Sequence, residues 1–198
     1  MTLIKFCGLS RCEDIICANE IRPDFAGFVF WEKSKRYVRC DKAKELKALL
    51  DPEIKAVGVF VDEDVHKVAR LLNDGIIDIA QLHGSEDDAY IKTLRSLSLG
   101  PVIKAFIVKS TEDIKKAEGS AADHILLDAG MGEGRTFAHE MLEGIKREYF
   151  LAGGLGIGNI EEVVAKLHPY AVDISSGIET DGVKDPEKMR RVAAVLRA

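Results

Sequence analysis

Short apolar runs alternate with stretches of helical periodicity along the chain. The runs Leu3–Cys7, Gly27–Phe30, Ala56–Val61, Ile77–Leu82, Val102–Ile107, His124–Asp128, Tyr149–Ala152 and Ala171–Ser175 are mostly continuous rather than alternating. That is the pattern of strands buried on both faces. Between them the spacing predicts helices over Arg11–Ala18, Lys42–Leu50, Asp64–Asn73, Asp87–Leu97, Glu112–Glu118, Phe137–Ile145, Asn159–Leu167 and Pro186–Leu196. In the fourth helix Ala89, Ile91, Leu94 and Leu97 mark one buried face. Start signals support several of these. Ser10-Arg11-Cys12-Glu13 fits a capping box, Ser110 stands three residues before Asp113, and Asp185 precedes a Pro186 suited to a first helical position.

Eight strand–helix units in 198 residues leave roughly 25 residues per unit, about the minimum for a strand plus a crossover helix. Eight such units close into a (β/α)8 barrel, the TIM-barrel form of the α/β class. An open doubly wound sheet would usually show G-x-G-x-x-G after its first strand, and Cys7-Gly8-Leu9-Ser10 does not. No linker or low-complexity tract interrupts the pattern, so residues 1–198 are expected to form a single barrel domain.

Composition narrows the setting. Hydrophobic residues at 46% suffice for a sizeable core, and a formal charge of −5 argues against nonspecific nucleic-acid binding. No apolar run approaches the roughly 20 residues that span a bilayer. No basic segment leads into an apolar one at the N-terminus, so a cytoplasmic protein without nucleic-acid or membrane partners is expected. Cys7, Cys12, Cys17 and Cys40 form no C-x-x-C pair and the histidines show no ligand spacing, so reduced thiols and no metal site are expected.

In a parallel barrel the chemistry gathers at the C-terminal ends of the strands. Cys7 ends the first strand, which makes it either a reactive thiol or a small core hydrophobe. Asp128 closes the run Ile125-Leu126-Leu127. It reads as a general acid beside apolar groups or as a loop-ordering carboxylate. Gly130, Gly132 and Gly134 follow it and suggest a lid. Gly153-Gly154 after strand seven and Ser175-Ser176-Gly177 after strand eight occupy the usual phosphate-binding place of this fold; the competing reading is a pair of sharp turns. Arg36 lies in the basic stretch Lys33 to Arg39, either solvated surface or a bidentate carboxylate holder. His83 stands at the barrel mouth, where a lone histidine is structural or a ligand contact.

These tips, taken in order, resemble the phosphoribosylanthranilate isomerase family of tryptophan biosynthesis. The likeness runs through Lys5-Phe6-Cys7-Gly8-Leu9-Ser10, Gly27-Phe28-Val29-Phe30 with Lys33-Ser34-Lys35-Arg36-Tyr37-Val38, and Gln81-Leu82-His83-Gly84. It continues through Leu126-Leu127-Asp128 with Gly132, Gly134 and Phe137, then Leu151-Ala152-Gly153-Gly154-Leu155, Asp173 with Ser175-Ser176-Gly177 and Glu179, and Gly182 with Lys184-Asp185. The chain departs from the family pattern at Lys35 (a proline there), Glu133 (serine or threonine), Ala138-His139 (Asp-Trp) and Ile157-Gly158 (Pro-Glu). The resemblance implies an Amadori rearrangement of N-(5′-phosphoribosyl)anthranilate with no cofactor. It further implies Asp128 as acid, Cys7 as base, Arg36 on the anthranilate carboxylate, His83 as a substrate contact, and Gly153, Gly154, Ser175, Ser176 and Gly177 around the phosphate. The partner implied is a small phosphosugar substrate, bound by a monomer or homodimer. A related histidine-pathway isomerase would carry aspartate at the position of Cys7 and a two-fold repeat, neither of which is evident. A catalytically silent phosphosugar-binding barrel is the reading from another class.

Overall fold

The computed structural model describes residues 2–128, 142 and 144–198. Eight parallel strands hydrogen-bond in chain order and close on themselves: β1 (Leu3–Cys7), β2 (Phe25–Val29), β3 (Lys55–Phe60), β4 (Ile79–Leu82), β5 (Val102–Ile107), β6 (His124–Asp128), β7 (Tyr149–Ala152) and β8 (Ala171–Ile174). The seam pairs β8 with β1 in the register Leu3↔Ala171, Ile4↔Val172, Lys5↔Asp173 and Phe6↔Ile174. Helices α1 (Cys12–Ile21), α2 (Cys40–Leu49), α3 (Val65–Asn73), α4 (Asp88–Leu97), α5 (Thr111–Glu118), α6 (Ile160–Leu167) and α7 (Pro186–Arg197) are described between or after them. A two-residue hairpin, β9 (Glu179–Thr180) with β10 (Val183–Lys184), rises between β8 and α7.

The continuous apolar runs divide by alternation. One set of strand positions, including Ile4, Phe6, Ala26, Phe28, Ala56 and Phe60, packs with the helices in the larger core. The other set, including Phe25, Val57, Ile79, Ile103, Leu126, Phe150 and Ala171, packs together as the barrel interior. At the N-terminal end Phe150 is ringed by Phe25, His124 and Tyr170, with ring centroids 5.2, 5.8 and 5.6 Å away. At the opposite end the small cluster Cys7, Val29 and Val59 tops the filling.

Four strands match their predicted bounds, and the others shift by one or two residues at an end. The caps show where local chemistry decides. Ser110 and Asp113 form the expected capping box, and Asp185 accepts from Glu187 N–H and Lys188 N–H ahead of Pro186. The first cap differs from expectation: Asp14, not Glu13, accepts the Ser10 and Arg11 amides, both at 3.0 Å. Its helix therefore starts one residue later. On α4 the expected Ala89 is exposed, and Tyr90 packs against the core with Ile91 and Leu94 instead. The larger phenol covers more apolar surface, and its hydroxyl stays satisfied by donating to Glu63 O at 2.9 Å. The predicted helix Phe137–Ile145 falls largely outside the described residues, as do Gly130, Gly132, Gly134, Glu133, Ala138 and His139.

Truncating Phe150 empties the barrel's lower plug while leaving its mouth intact. Phe150→Ala is expected to lose about 3–5 kcal/mol of stability. Urea unfolding measures that loss, and the substrate KM of the folded fraction should stay at the parent value.

Candidate active site

A cavity of about 350 Å³ opens where the strands end, a volume in the range of small-ligand sites. Cys7, the last residue of β1, and Asp128, the last of β6, both line it. Those strands are separated around the closed ring, so the two groups approach one space from different sides. Val29, Trp31, Val59 and Val61 give the wall an apolar surface, and Ser34 and Arg36 line the same cavity from the loop after β2. Ala152, Gly153, Gly154, Ser175 and Ser176 form the part contributed by β7 and β8. Gln81, His83 and Asp173 complete the polar lining. Every predicted site residue except Gly177 is on this surface.

Room for the thiol is set by glycine. A Cβ at Gly27, paired with Cys7 in the β1–β2 register, would lie 2.9 Å from the Cys7 sulfur. Burial pushes the Cys7 thiol above its ordinary pKa, and the Asp173 charge adds to this; Lys5 and Lys184 pull in the other direction. Ser175 Oγ donates to Cys7 O at 3.1 Å, tying the tips of β1 and β8.

His83 is held low by burial, against the opposing pull of Asp128, so it is neutral at pH 7. Gln81 Nε2 lies 3.1 Å from its Nδ1. An amide nitrogen donating there leaves the ring proton on Nε2, which faces Asp128 Oδ2 at 3.8 Å. Gln81 Oε1 is buried without a hydrogen-bond partner among the described residues.

Arg36 makes the bidentate fork expected of it, but with a residue of the chain itself. Its Nε and Nη2 donate to Glu179 at 2.5 and 2.8 Å, and Lys184 Nζ binds the same carboxylate at 2.7 Å. Burial alone would push the Glu179 carboxyl up; the hydrogen bonds and charges of Arg36 and Lys184 overcome it and hold the group at about 2. Two of the five guanidinium donors are thereby used, and the side chain still lines the cavity. Gly8, at φ 80°, passes so close that a Cβ there would meet Arg36 Cδ at 2.3 Å.

The two small-residue loops differ in what their glycines do. Gly153 and Gly154 take φ of 99° and 66°, a region strained for side chains, and present backbone to the cavity. Gly177 instead packs against the neighbouring loop. It bridges to Gly156, and a Cβ on it would lie 1.9 Å from Leu155 O. Its place is in the support of the cradle rather than on the cavity surface.

A larger cleft of about 480 Å³ lies at the opposite end, among Lys146, Arg147, Tyr149, Lys166, His168 and Tyr170. Arg147 there already donates to the carbonyls of Ser120 and Ala122, and Tyr149 Oη to Leu167 O. That end of a barrel carries stability rather than chemistry.

Sequence reasoning missed Lys5, Gln81, Trp31 and Asp173 as parts of this surface or its floor. A polar residue within an otherwise apolar strand was the available signal for Lys5, Gln81 and Asp173.

The family model for N-(5′-phosphoribosyl)anthranilate (PRA) isomerase matches residues 4–195. An N-(5′-phosphoribosyl)anthranilate isomerase of Endomicrobium trichonymphae is 42% identical over 203 residues, covering 100% of both chains. Among solved structures, the phosphoribosyl anthranilate isomerase of Thermus thermophilus is 35% identical with TM-score 0.87, covering 100% of this chain and 98% of that one. Another, in complex with reduced 1-(o-carboxyphenylamino)-1-deoxyribulose 5-phosphate, is 31% identical with TM-score 0.85, covering 100% and 99%.

Because the β7 and β8 loops touch backbone to backbone, Gly177→Ala is expected to cost about 1–3 kcal/mol, the range for overpacking. It should also raise KM, since the displaced loop carries Ser175 and Ser176. Chemical denaturation and steady-state kinetics on one preparation check both. The barrel, the strand-tip cavity and these full-length matches agree: the chain belongs to the N-(5′-phosphoribosyl)anthranilate isomerase family.

Proposed function

We propose that Cys7 is the base and Asp128 the acid in the family's isomerisation of N-(5′-phosphoribosyl)anthranilate to 1-(o-carboxyphenylamino)-1-deoxyribulose 5-phosphate. The observation that carries this reading is the convergence of a thiol and a carboxyl from separated strands on one cavity with a glycine–serine cradle. Asp128 gives a proton to the ring oxygen as the C1′–O4′ bond breaks, and the amine lone pair forms the iminium. Cys7 takes the C2′ proton; the electron pair moves to C1′=C2′ and neutralises the iminium. Ketonisation then moves a proton from O2′ to C1′, giving the product. No electrons leave the substrate, so the sequence of steps needs no redox partner.

The rest of the cavity suits the two anionic ends. Gly153, Gly154, Ser175 and Ser176 take the phosphate, where backbone amides can approach closely. Arg36 meets the anthranilate carboxylate with the donors Glu179 leaves over, and Val29, Trp31, Val59 and Val61 cover the aromatic ring. Gln81 Oε1 and His83 lie between and serve as contacts for sugar hydroxyls.

Cys7→Ser and Asp128→Asn are expected to lower kcat by about 10²- to 10⁴-fold, the range for general acid–base groups, while Arg36→Ala mainly raises KM. Loss of substrate fluorescence on mixing, and growth of a tryptophan auxotroph lacking this step, measure the activity. Full turnover in both strand-tip variants would end the assignment.

The pH profile tests the same pair. The productive form has thiolate with carboxylic acid, which holds one proton between two groups. Fully protonated and fully deprotonated pairs are inactive, so kcat/KM falls on each side of a plateau. The alkaline fall marks loss of that single proton. Because the Cys7 thiol is pushed up by burial and Asp173, it should lie above about 8.5, the reference thiol value. A fall centred near neutral pH would contradict the pairing.

A further inference from the structure

Beneath Cys7 lies a charged pair that the mechanism above does not use. Lys5 is fully buried, two residues before Cys7 on β1 and so on the same inward face. Its Nζ donates to Asp173 Oδ1 at 2.8 Å across the barrel seam, where the two residues are register partners. Cys7 stands two residues along on the same face of the strand, close enough that its charge acts on the ammonium and the ammonium on it. A lysine with no solvent exposure is rare and expensive to bury, and a salt bridge at this depth is weak evidence for stability alone.

We propose that Lys5 is a positioning residue for Cys7: seated on Asp173, its ammonium holds the sulfur toward the cavity and supplies the counter-charge for the thiolate. This rests on Cys7 being the base. The charged groups facing the sulfur from the surrounding elements are Lys5 on β1, Asp173 on β8, Lys184 on β10 and Arg36 after β2. Lys184 and Arg36 are both bound to Glu179, whereas Lys5 is bound to Asp173, its register partner, on the same inward face as Cys7. Burial opposes charge on Lys5, but Asp173 and Cys7 hold its pKa above the ordinary lysine value, so it remains an ammonium when the thiolate forms.

The test measures the thiol directly. Iodoacetamide, small and neutral, reacts with the thiolate, and the Cys7 adduct is resolved from Cys12, Cys17 and Cys40 by peptide mass spectrometry as pH is varied. Lys5→Met should lower the Cys7 alkylation rate at pH 8 roughly tenfold, the effect of losing a nearby opposite charge. Its kcat should fall by a similar factor with KM unchanged, and the alkaline limb of kcat/KM should move up. Asp173→Asn removes the negative charge that opposes the thiolate and keeps the ammonium, so both midpoints should move down. This variant keeps the volume and the lysine, and serves where Lys5→Met does not fold. Opposed shifts support the proposal. Midpoints that stay put, or move the same way in both variants, overturn it. If Cys7→Ser keeps full turnover, the base assignment falls instead, and the alkylation result still decides whether Lys5 governs the thiol.

Discussion

The ion pair of Lys5 and Asp173 sits where the barrel must close. β1 and β8 are joined by a four-residue ladder, and the pair occupies its third rung with an Nζ–Oδ1 distance of 2.8 Å. Every other strand is paired with a neighbour in chain order; only this seam joins the two ends of the sequence. A lone charge there would be prohibitive, which makes the seam specific: breaking such a pair by removing one partner costs about 3–5 kcal/mol. The same contact brings the tip of β8 beside Cys7, where Ser175 Oγ reaches the Cys7 carbonyl. The contacts that close the barrel are therefore also contacts that place the site.

Around that seam the charges are arranged before any ligand arrives. Glu179, on the hairpin that follows β8, gathers Arg36 from the β2 loop and Lys184 from β10. Being held near 2, its carboxyl keeps its charge throughout the neutral range. The linkage sign follows: a depressed carboxylate contributes stability above its unfolded pKa, and that contribution is lost as pH falls from there through about 2. Arg36 is thus fixed in orientation by an internal carboxylate; on the proposed reading this lowers the ordering cost when the anthranilate carboxylate binds. Packing enforces the same placement, since Gly8 leaves no space for a Cβ beside Arg36 Cδ.

Much of this was legible in the chain because barrel logic is local. Each strand is a short apolar run, each run ends in a residue of different chemistry, and strand ends are where chemistry sits. That rule places Cys7, Asp128, His83, Gly153, Gly154, Ser175 and Ser176 on the cavity where the structure has them, while Arg36 reaches it from the loop after β2. What could not be read depends on contacts between distant positions. Lys5 looks like one more charged residue in a strand until closure sets Asp173, 168 positions away, beside it. Arg36 forms a bidentate fork, one of the two readings open to it, but with Glu179, which lies 143 positions on. Gly177 signalled a small-residue requirement that is real, yet the cause is the Leu155 carbonyl across a loop contact. Asp14 displaced Glu13 because the capping box is framed one residue later, on Arg11 as N-cap, with the three-residue spacing kept.

The resting thiol presents the remaining tension. On the proposed mechanism the thiolate must form on a group that burial and the Asp173 charge make harder to ionise. The population of that thiolate then enters the rate alongside its reactivity, just as a minor binding-competent state lowers apparent affinity. Two cations can raise that population. One is permanent, the Lys5 ammonium below the sulfur; the other exists only after ring opening, when the substrate nitrogen carries the iminium charge. The second arrives when the C2′ proton must leave, and it vanishes once the enol forms. A site that relied on permanent charge alone would hold a thiolate in the empty cavity, exposed to oxidation. On the proposed roles of Cys7 and Lys5, burial holds the thiol protonated in the empty cavity and the iminium of the bound substrate completes its activation.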